Sequence, residues 1–343
     1  MDFELTRENL MIKNAIRDWV TKECKRELVS ELDEMGSFPE KLLKKLNKLG
    51  FSGMIVPEEF EGEGKNVLGA CLVAEEIATV YPALAGCYIS SAFLGGPVIS
   101  QLGTRNQKDK YLPEIAGNAM IVSQAFAEEK DADADIITAT AVREGDGYRL
   151  NGDKSYVALA NRAGLVLISA RVEEDSTEKG LTLFCLEPET AGMTISPMKF
   201  MGLKGIDFCR IELQNVAAGP DTILGGKEQT GQGSVQLKLI NDYALLGHAA
   251  SAVGLSQGAF DYALQYARQR QQFGQPIGRF PALGHVLSDL SCRLDAARLL
   301  VYRSAWLLDQ DRKCSKEIAG ARCISAEVAV KSAMEGLQVL GGY

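Results

Sequence analysis

Residues 237–271 carry apolar side chains at helical spacing, and no proline interrupts them. At 1.5 Å per residue such a helix spans about 50 Å. An element that long must lie against partners of comparable length to bury its apolar side. The same period predicts those partners over 280–310 and 315–339, with loops at Phe273–Gly278 and Asp311–Ser315. Long helices with short connections read as an antiparallel bundle.

Residues 1–120 are helical in character too. Thr6 can cap a helix bearing Leu10, Ile16, Trp19 and Val20. Pro39 opens a short helix through Leu49, with Gly50 as its stop. Residues 67–80 predict an apolar helix ended by Tyr81-Pro82, and 84–102 predict one further buried helix. Between the helical regions the pattern changes. Residues 147–159 hold Asn151-Gly152, a hairpin-turn signal, and 165–172, 181–187, 193–198 and 208–214 read as short strands. Glycines at 225–233 mark a loop. The expected fold is α+β, mainly α. It comprises a helical N-terminal domain (1–120), a central small β-barrel or sandwich domain (121–235) and a C-terminal antiparallel helical bundle (236–343).

Composition removes several functional classes. Lys+Arg number 37 against 45 Asp+Glu, a net charge of −8, which argues against nucleic acid as a partner. No continuous apolar run of membrane-spanning length is evident, and Met1-Asp2-Phe3-Glu4 lacks the regions of a signal peptide. Eight scattered cysteines without a CxxC, and two histidines, predict neither a disulfide framework nor a metal centre. A reducing, cytoplasmic location is expected.

Gly254-Leu255-Ser256-Gln257-Gly258 matches the nucleophile elbow of hydrolases, but it lies inside a helical run where that motif needs a strand-turn-helix. Its glycines are expected to permit close helix packing, and His248 is expected to be a packed or hydrogen-bonded core histidine rather than a catalyst. Neither GxGxxG nor a P-loop occurs. Arg268-Gln269-Arg270-Gln271-Gln272-Phe273-Gly274-Gln275-Pro276-Ile277 places two arginines where a helix ends. They could complement the helix dipole, or hold a phosphate by a bidentate contact.

Four stretches, taken in order, resemble the acyl-CoA dehydrogenase family. They are LGTRNQKDKYLPEIAG at 102–117, TAVREGDGYRLNGDK at 140–154, an RxxFGxxI signature within 268–277, and EGLQVLGGY at 335–343. The resemblance implies FAD as cofactor and oxidation of an acyl thioester at Cα–Cβ. It implies that Arg270 contacts the FAD pyrophosphate, that Phe273 packs near the adenine, and that Gln338, Gly341 and Gly342 meet the FAD of a neighbouring subunit. Tyr156 matches the aromatic that flanks the flavin. Glu128 is the residue retained from a TEPxAGSD-like cofactor segment, and Asp242 matches an aspartate touching the pantetheine arm. The implied partners are an acyl-CoA or acyl-carrier thioester, an electron-transfer flavoprotein as electron acceptor, and further subunits in a homo- or hetero-oligomer, typically a tetramer.

Departures from the family pattern fall in the active site. Residues 127–135 read AEEKDADAD, with an acidic cluster of Glu128, Glu129, Asp131, Asp133 and Asp135 that would repel phosphates or else form a solvated turn. Ala158 replaces a threonine whose hydroxyl serves the flavin. Leu245 replaces a frequent arginine, and Pro281 a common glutamine. One family position for the catalytic base is Ala244; the other is expected beyond Tyr343, in a C-terminal segment that this sequence does not reach. Asp242 lies about 200° round the helix from Ala244 and does not substitute for it. The leading reading is an FAD-dependent acyl-CoA dehydrogenase. The alternatives are a catalytically degenerate partner subunit of a hetero-oligomeric acyl-CoA dehydrogenase, or a flavin oxidase or monooxygenase on the same scaffold.

Overall fold

The structure is a computed structural model and describes residues 4–129, 137–174 and 177–342. The Thr6 hydroxyl accepts the Asn9 backbone N–H (3.2 Å) and opens α1 (Arg7–Glu23). Next comes α2 (Arg26–Met35), which the sequence reading missed; it buries no residue, so its period had no core to mark. Then follow α3 (Glu40–Asn47), α4 (Val67–Ala78), α5 (Pro82–Ala92), α6 (Gly96–Leu102) and α7 (Arg105–Asn118). The single helix expected over 84–102 is two. At Gly95 a Cβ would stand 2.7 Å from Val122 Cγ2 and 2.8 Å from the Ser91 carbonyl, so the chain turns there against Val122. Residues 82–102 are long and apolar enough to cross a membrane by composition alone, yet most are buried inside the fold.

Seven strands form one mixed sheet: β1 (Val122–Ala125), β2 (Thr140–Glu144), β3 (Gly147–Ala158), β4 (Leu165–Glu174), β5 (Thr177–Leu186), β6 (Met193–Met198) and β7 (Phe208–Ala218). β1 and β2 both pair in parallel with β4, one after the other along it; the other pairings are antiparallel. The long β3 therefore runs beside β2 and then reaches β1, where Ser155 N–H donates to Ala127 O (2.9 Å) and Ser123 Oγ donates to Ala158 O (2.7 Å). Asn151-Gly152 is not the expected turn. It is an irregularity inside β3, where the register against β7 shifts. Gly152 has φ 136°, and a Cβ there would lie 2.7 Å from Ala139 Cα. The turn falls at Gly145-Asp146, with Glu144 facing Gly147. Inward side chains such as Leu150, Val157, Ile168, Phe184 and Ile211 fill one face. Leu165, Leu167 and Val122 on the other face pack with Leu112 and Ile115 of α7.

Three long helices complete the chain: α8 (Gly233–Gln269), α9 (Pro281–Asp309) and α10 (Ser315–Leu340). Gly254 and Gly258 pack α8 onto the α4 backbone. A Cβ at either would sit 2.0 Å from a carbonyl oxygen, of Glu75 and of Thr79 respectively. Ser256 is buried and its hydroxyl donates to Ala252 O (2.7 Å), so the hydrolase reading has no exposed nucleophile. His248 is exposed rather than packed in the core; the 100° helical step turns Leu246, Ala249 and Val253 inward instead. The Asp309 carboxylate accepts the Val67 and Leu68 N–H groups (2.7 and 3.1 Å) at the start of α4. Buried Glu75 accepts from Arg298 (3.0 Å) and Tyr302 (2.9 Å).

By contacts the chain forms two compact units, each discontinuous. One comprises Met1–Glu31, Asn66–Gly86 and Ala244–Tyr343; the other comprises Leu32–Lys65 and Cys87–Tyr243. The three-block division expected from the sequence follows changes of element type, whereas the contact division shares the N-terminal helices between both units.

Candidate cofactor and substrate site

In the sheet-containing unit, the candidate residues gather where β3 passes β1. The register against β7 slips between Lys154 and Val157, and Tyr156 adopts φ 60°. A non-glycine aromatic in that region is strained, and such strain is kept where the surroundings fix it. The Tyr156 ring is exposed and meets Phe200 edge-on at 6.1 Å; Phe200 meets Phe208 at 4.7 Å.

What fixes the seam is a buried ion pair. Lys154 Nζ is fully buried and donates to Glu128 Oε1 (2.7 Å) and to Ser169 Oγ (3.1 Å). Glu128 also accepts the Thr138 hydroxyl and the N–H groups of Thr138 (2.8 Å) and Ala139 (3.1 Å). Burial alone would raise the Glu128 carboxyl. The hydrogen bonds from Lys154, Thr138 and Ala139 outweigh it and hold the group down at about 2. Burial pushes the Lys154 ammonium down, against the pull of Glu128. Removing one member of such a pair costs about 3–5 kcal/mol, because the other charge is left buried and alone.

Lys154 was legible in principle. It shares strand parity with inward Tyr148 and Leu150, and a charge at an inward position demands a partner. Glu128 thus spends its acceptor capacity on protein groups. Glu129 faces Arg210 at 3.3 Å. Asp131, Asp133 and Asp135, the rest of the expected acidic cluster, lie outside the described residues.

Two buried polar atoms on the same seam have no hydrogen-bond partner among the described residues: Ser155 Oγ and the Gln124 side-chain nitrogen. Sequence reasoning singled out neither. Ala158, at the end of β3, brings no hydroxyl.

Arg270, Phe273, Gln338, Gly341 and Gly342 lie in the helical unit, whereas Asp242 falls at the end of the sheet-containing one. Arg270 follows the end of α8. Its N–H donates to Tyr266 O and its carbonyl accepts the Ile277 N–H, both at 2.8 Å. These bonds anchor a small hairpin of β8 (Gln271–Gln272) and β9 (Gln275–Pro276). The loop expected over Phe273–Gly278 therefore contains a two-residue turn, Phe273 (φ 53°) and Gly274 (φ 78°), both left-handed as the tightest hairpins require. The Arg270 side chain is exposed and has no ion-pair partner among the described residues. Phe273 is 92% exposed and touches Phe280 edge-on at 6.2 Å. A strained aromatic held out in solvent is costly for this unit alone.

Gln338, near the end of α10, and Gly341 and Gly342 beyond it are exposed. A Cβ at either glycine would meet nothing within 4 Å, and Gly341 has φ 73°. Beside them Val330, Met334 and Leu337 form an exposed apolar stripe at spacings of four and three. Tyr343, next in the chain, lies outside the described residues. Asp242, Ala244 and Leu245 all lie on α8 and are half-buried.

Taken by itself, the seam offers unmet buried hydrogen-bonding atoms and an exposed aromatic, which suit a polar ring system. Taken by itself, the helical unit offers at a helix end an exposed arginine without an ion pair among the described residues, which suits a phosphate.

Comparison with known proteins accords with that geometry. Three family models match in order: "Acyl-CoA dehydrogenase, N-terminal domain" over residues 6–119, "middle domain" over 124–216 and "C-terminal domain" over 235–343. The chain is 32% identical over 345 residues to the probable acyl-CoA dehydrogenase YngJ of Bacillus subtilis, covering 100% of this chain and 90% of that protein. It is 31% identical over 342 residues to the caffeyl-CoA reductase-Etf complex subunit CarC of Acetobacterium woodii, covering 98% and 89%. The solved structure of butyryl-CoA dehydrogenase from Megasphaera elsdenii superposes with a TM-score of 0.94 at 28% identity, covering 100% of this chain and 90% of that one. The chain belongs to the acyl-CoA dehydrogenase family.

Proposed function

We propose that the chain is an FAD-dependent acyl-CoA dehydrogenase acting on the Cα–Cβ bond of an acyl thioester. The observation that carries this reading is the β1–β3 seam. An exposed, backbone-strained Tyr156 follows Lys154 of the buried Glu128–Lys154 pair by two residues, on a seam that also carries two polar atoms that nothing in the described chain satisfies.

Bound FAD supplies the acceptor for the hydride leaving Cβ. Arg270 would hold its pyrophosphate, because a guanidinium offers paired donors to phosphate oxygens. Phe273 would cover the adenine and Tyr156 the flavin edge. Gln338, Gly341 and Gly342 would meet the FAD of a neighbouring subunit, the glycines leaving room for close approach. Asp242 would contact the pantetheine arm of an acyl-CoA or acyl-carrier thioester. Glu128 serves the cofactor by holding the seam through Lys154. The α-proton needs a positioned base, and Ala244 offers no carboxylate for that role.

The exposed Val330, Met334 and Leu337 stripe supports an oligomer, a tetramer in our reading, built on α10. An electron-transfer flavoprotein is the proposed electron acceptor, supported by a relative named as a subunit of a reductase-Etf complex. Eight free cysteines, six of them buried, fit a reducing compartment such as the cytoplasm. Burial lifts the Cys87 and Cys185 thiols to about 12, which keeps them unreactive.

A second reading, a degenerate partner subunit, is favoured by Ala158, Ala244 and Leu245, which lack the groups expected at those positions. Anaerobic addition of acyl-CoA thioesters to the FAD-bound protein separates the two. Bleaching of the flavin by one of them supports the enzyme. A bound flavin that none reduces, even with Ala244→Glu, supports the partner subunit.

A further inference from the structure

Gln124 stands opposite Leu167 in the parallel register of β1 on β4. Strand alternation puts it on the face of Val122, away from the inward face of Ala125. Its side-chain nitrogen is buried without a hydrogen-bond acceptor among the described residues. Folded proteins leave only a few such buried groups unmet per hundred residues, and each instance calls for an explanation. Ser155 on β3, 1% exposed, leaves its hydroxyl in the same condition.

The two unmet atoms belong to one short stretch of the seam. Ser123 Oγ reaches Ala158 O on one side of Gln124, and Ala127 O accepts the Ser155 N–H on the other. Within that bracket the β3 register slips and Tyr156 takes φ 60°. The same stretch contains Ala158, which has no hydroxyl to give. A donor is missing at one position, and a spare buried donor stands on the neighbouring strand.

We propose that the Gln124 amide donates a hydrogen bond to the flavin ring of FAD bound at this seam, supplying the bond that Ala158 cannot. This rests on the FAD-dependent reading above and specifies how the site holds its cofactor. The chemistry is complementary: an oxidised flavin ring presents two carbonyl oxygens and two unprotonated ring nitrogens as acceptors against a single N–H donor, and an amide NH₂ offers two donors. A donor kept unsatisfied in the empty fold also makes a distinctive thermodynamic prediction. Replacing it with an apolar group of similar size relieves the empty protein and weakens the loaded one.

The test is titration of the cofactor-free full chain with FAD, following flavin absorption and fluorescence, alongside thermal melting of the cofactor-free form. Gln124→Leu should bind FAD about tenfold more weakly, as loss of one such hydrogen bond implies. Its bound flavin bands should be displaced, and its cofactor-free melting midpoint should be unchanged or higher. Gln124→Glu, nearly the same shape with acceptors in place of donors, should bind more weakly still. Adding Ala158→Thr to Gln124→Leu should recover most of the affinity. Unchanged affinity and spectrum in both Gln124 variants would overturn the proposal while leaving the FAD reading intact. So would a loss of affinity matched by a lowered cofactor-free melting midpoint. Failure of the unsubstituted chain to bind FAD would overturn both.

Discussion

Glu128 and Arg270 are both charged residues that the family resemblance ties to FAD, and their surroundings are opposite. Glu128 is buried against Lys154, and its oxygens accept from four protein donors. Arg270 is exposed at the end of α8 with no ion pair among the described residues. A group that the fold itself satisfies belongs to the architecture, and its loss should appear as instability. A group that the fold leaves open is kept for something outside the chain, and its loss should appear as lost binding. Phe273, Gln338, Gly341 and Gly342 side with Arg270; Lys154 and Ser169 side with Glu128.

The largest effect should come from a position that has neither kind of group. Ala244 sits half-buried on α8 without a carboxylate. Ala244→Glu in residues 1–343 is expected to speed flavin reduction by a suitable acyl-CoA by about 10²–10⁴-fold, the usual worth of a positioned base. Stopped-flow bleaching reads this directly; no acceleration with any thioester would remove Ala244 as a base position.

Next, Glu128→Gln should lower the unfolding free energy by about 3–5 kcal/mol, since it strands the Lys154 ammonium. Denaturant titration measures it, and a loss below about 1 kcal/mol would place Glu128 with the binding group instead. The pH dependence has a definite sign. Folding lowers the Glu128 carboxyl from its ordinary 4.5 to about 2. Its stabilisation is therefore complete above the unfolded value and is lost as pH falls from 4.5 towards 2. The unsubstituted protein should lose more stability across that window than Glu128→Gln, whose curve should be flatter.

Arg270→Ala should do the reverse. FAD affinity should fall by about ten- to a hundredfold, as expected for a hydrogen bond to a charged donor. The melting midpoint of the cofactor-free protein should hardly move. A large drop in that midpoint would break the comparison, because it would make Arg270 structural. The smallest effect on stability belongs to Met334→Asp and Leu337→Asp on α10. Light scattering should show smaller assemblies with the fold retained; an unchanged assembly size would exclude the α10 stripe as the interface.

Element types were legible where the hydrophobic period was long. α9 and α10 begin and end within a residue of the expected limits, and β6 lies where Met193–Met198 predicted it. Close packing of Gly254 and Gly258 was legible from their setting among small residues. Other features required knowledge of tertiary contacts. Gly95 breaks 84–102 because β1 leaves no room for a side chain, and a purely apolar pattern carries no sign of that. Asn151-Gly152 has the composition of a turn, but Ala139 and Asn215 on neighbouring segments use it as an irregularity within β3. In the site, charged and aromatic candidates could be read by resemblance. The unmet atoms of Gln124 and Ser155 could not, because a missing partner is visible only once the strands are in register.

The most direct test of the account is FAD uptake measured side by side for the unsubstituted protein, Arg270→Ala and Glu128→Gln, with melting of each cofactor-free form. The account predicts that the unsubstituted chain takes up FAD stoichiometrically. It predicts that Arg270→Ala loses affinity at unchanged melting, and that Glu128→Gln loses melting temperature first. A folded, colourless protein that takes up no FAD on titration would contradict it.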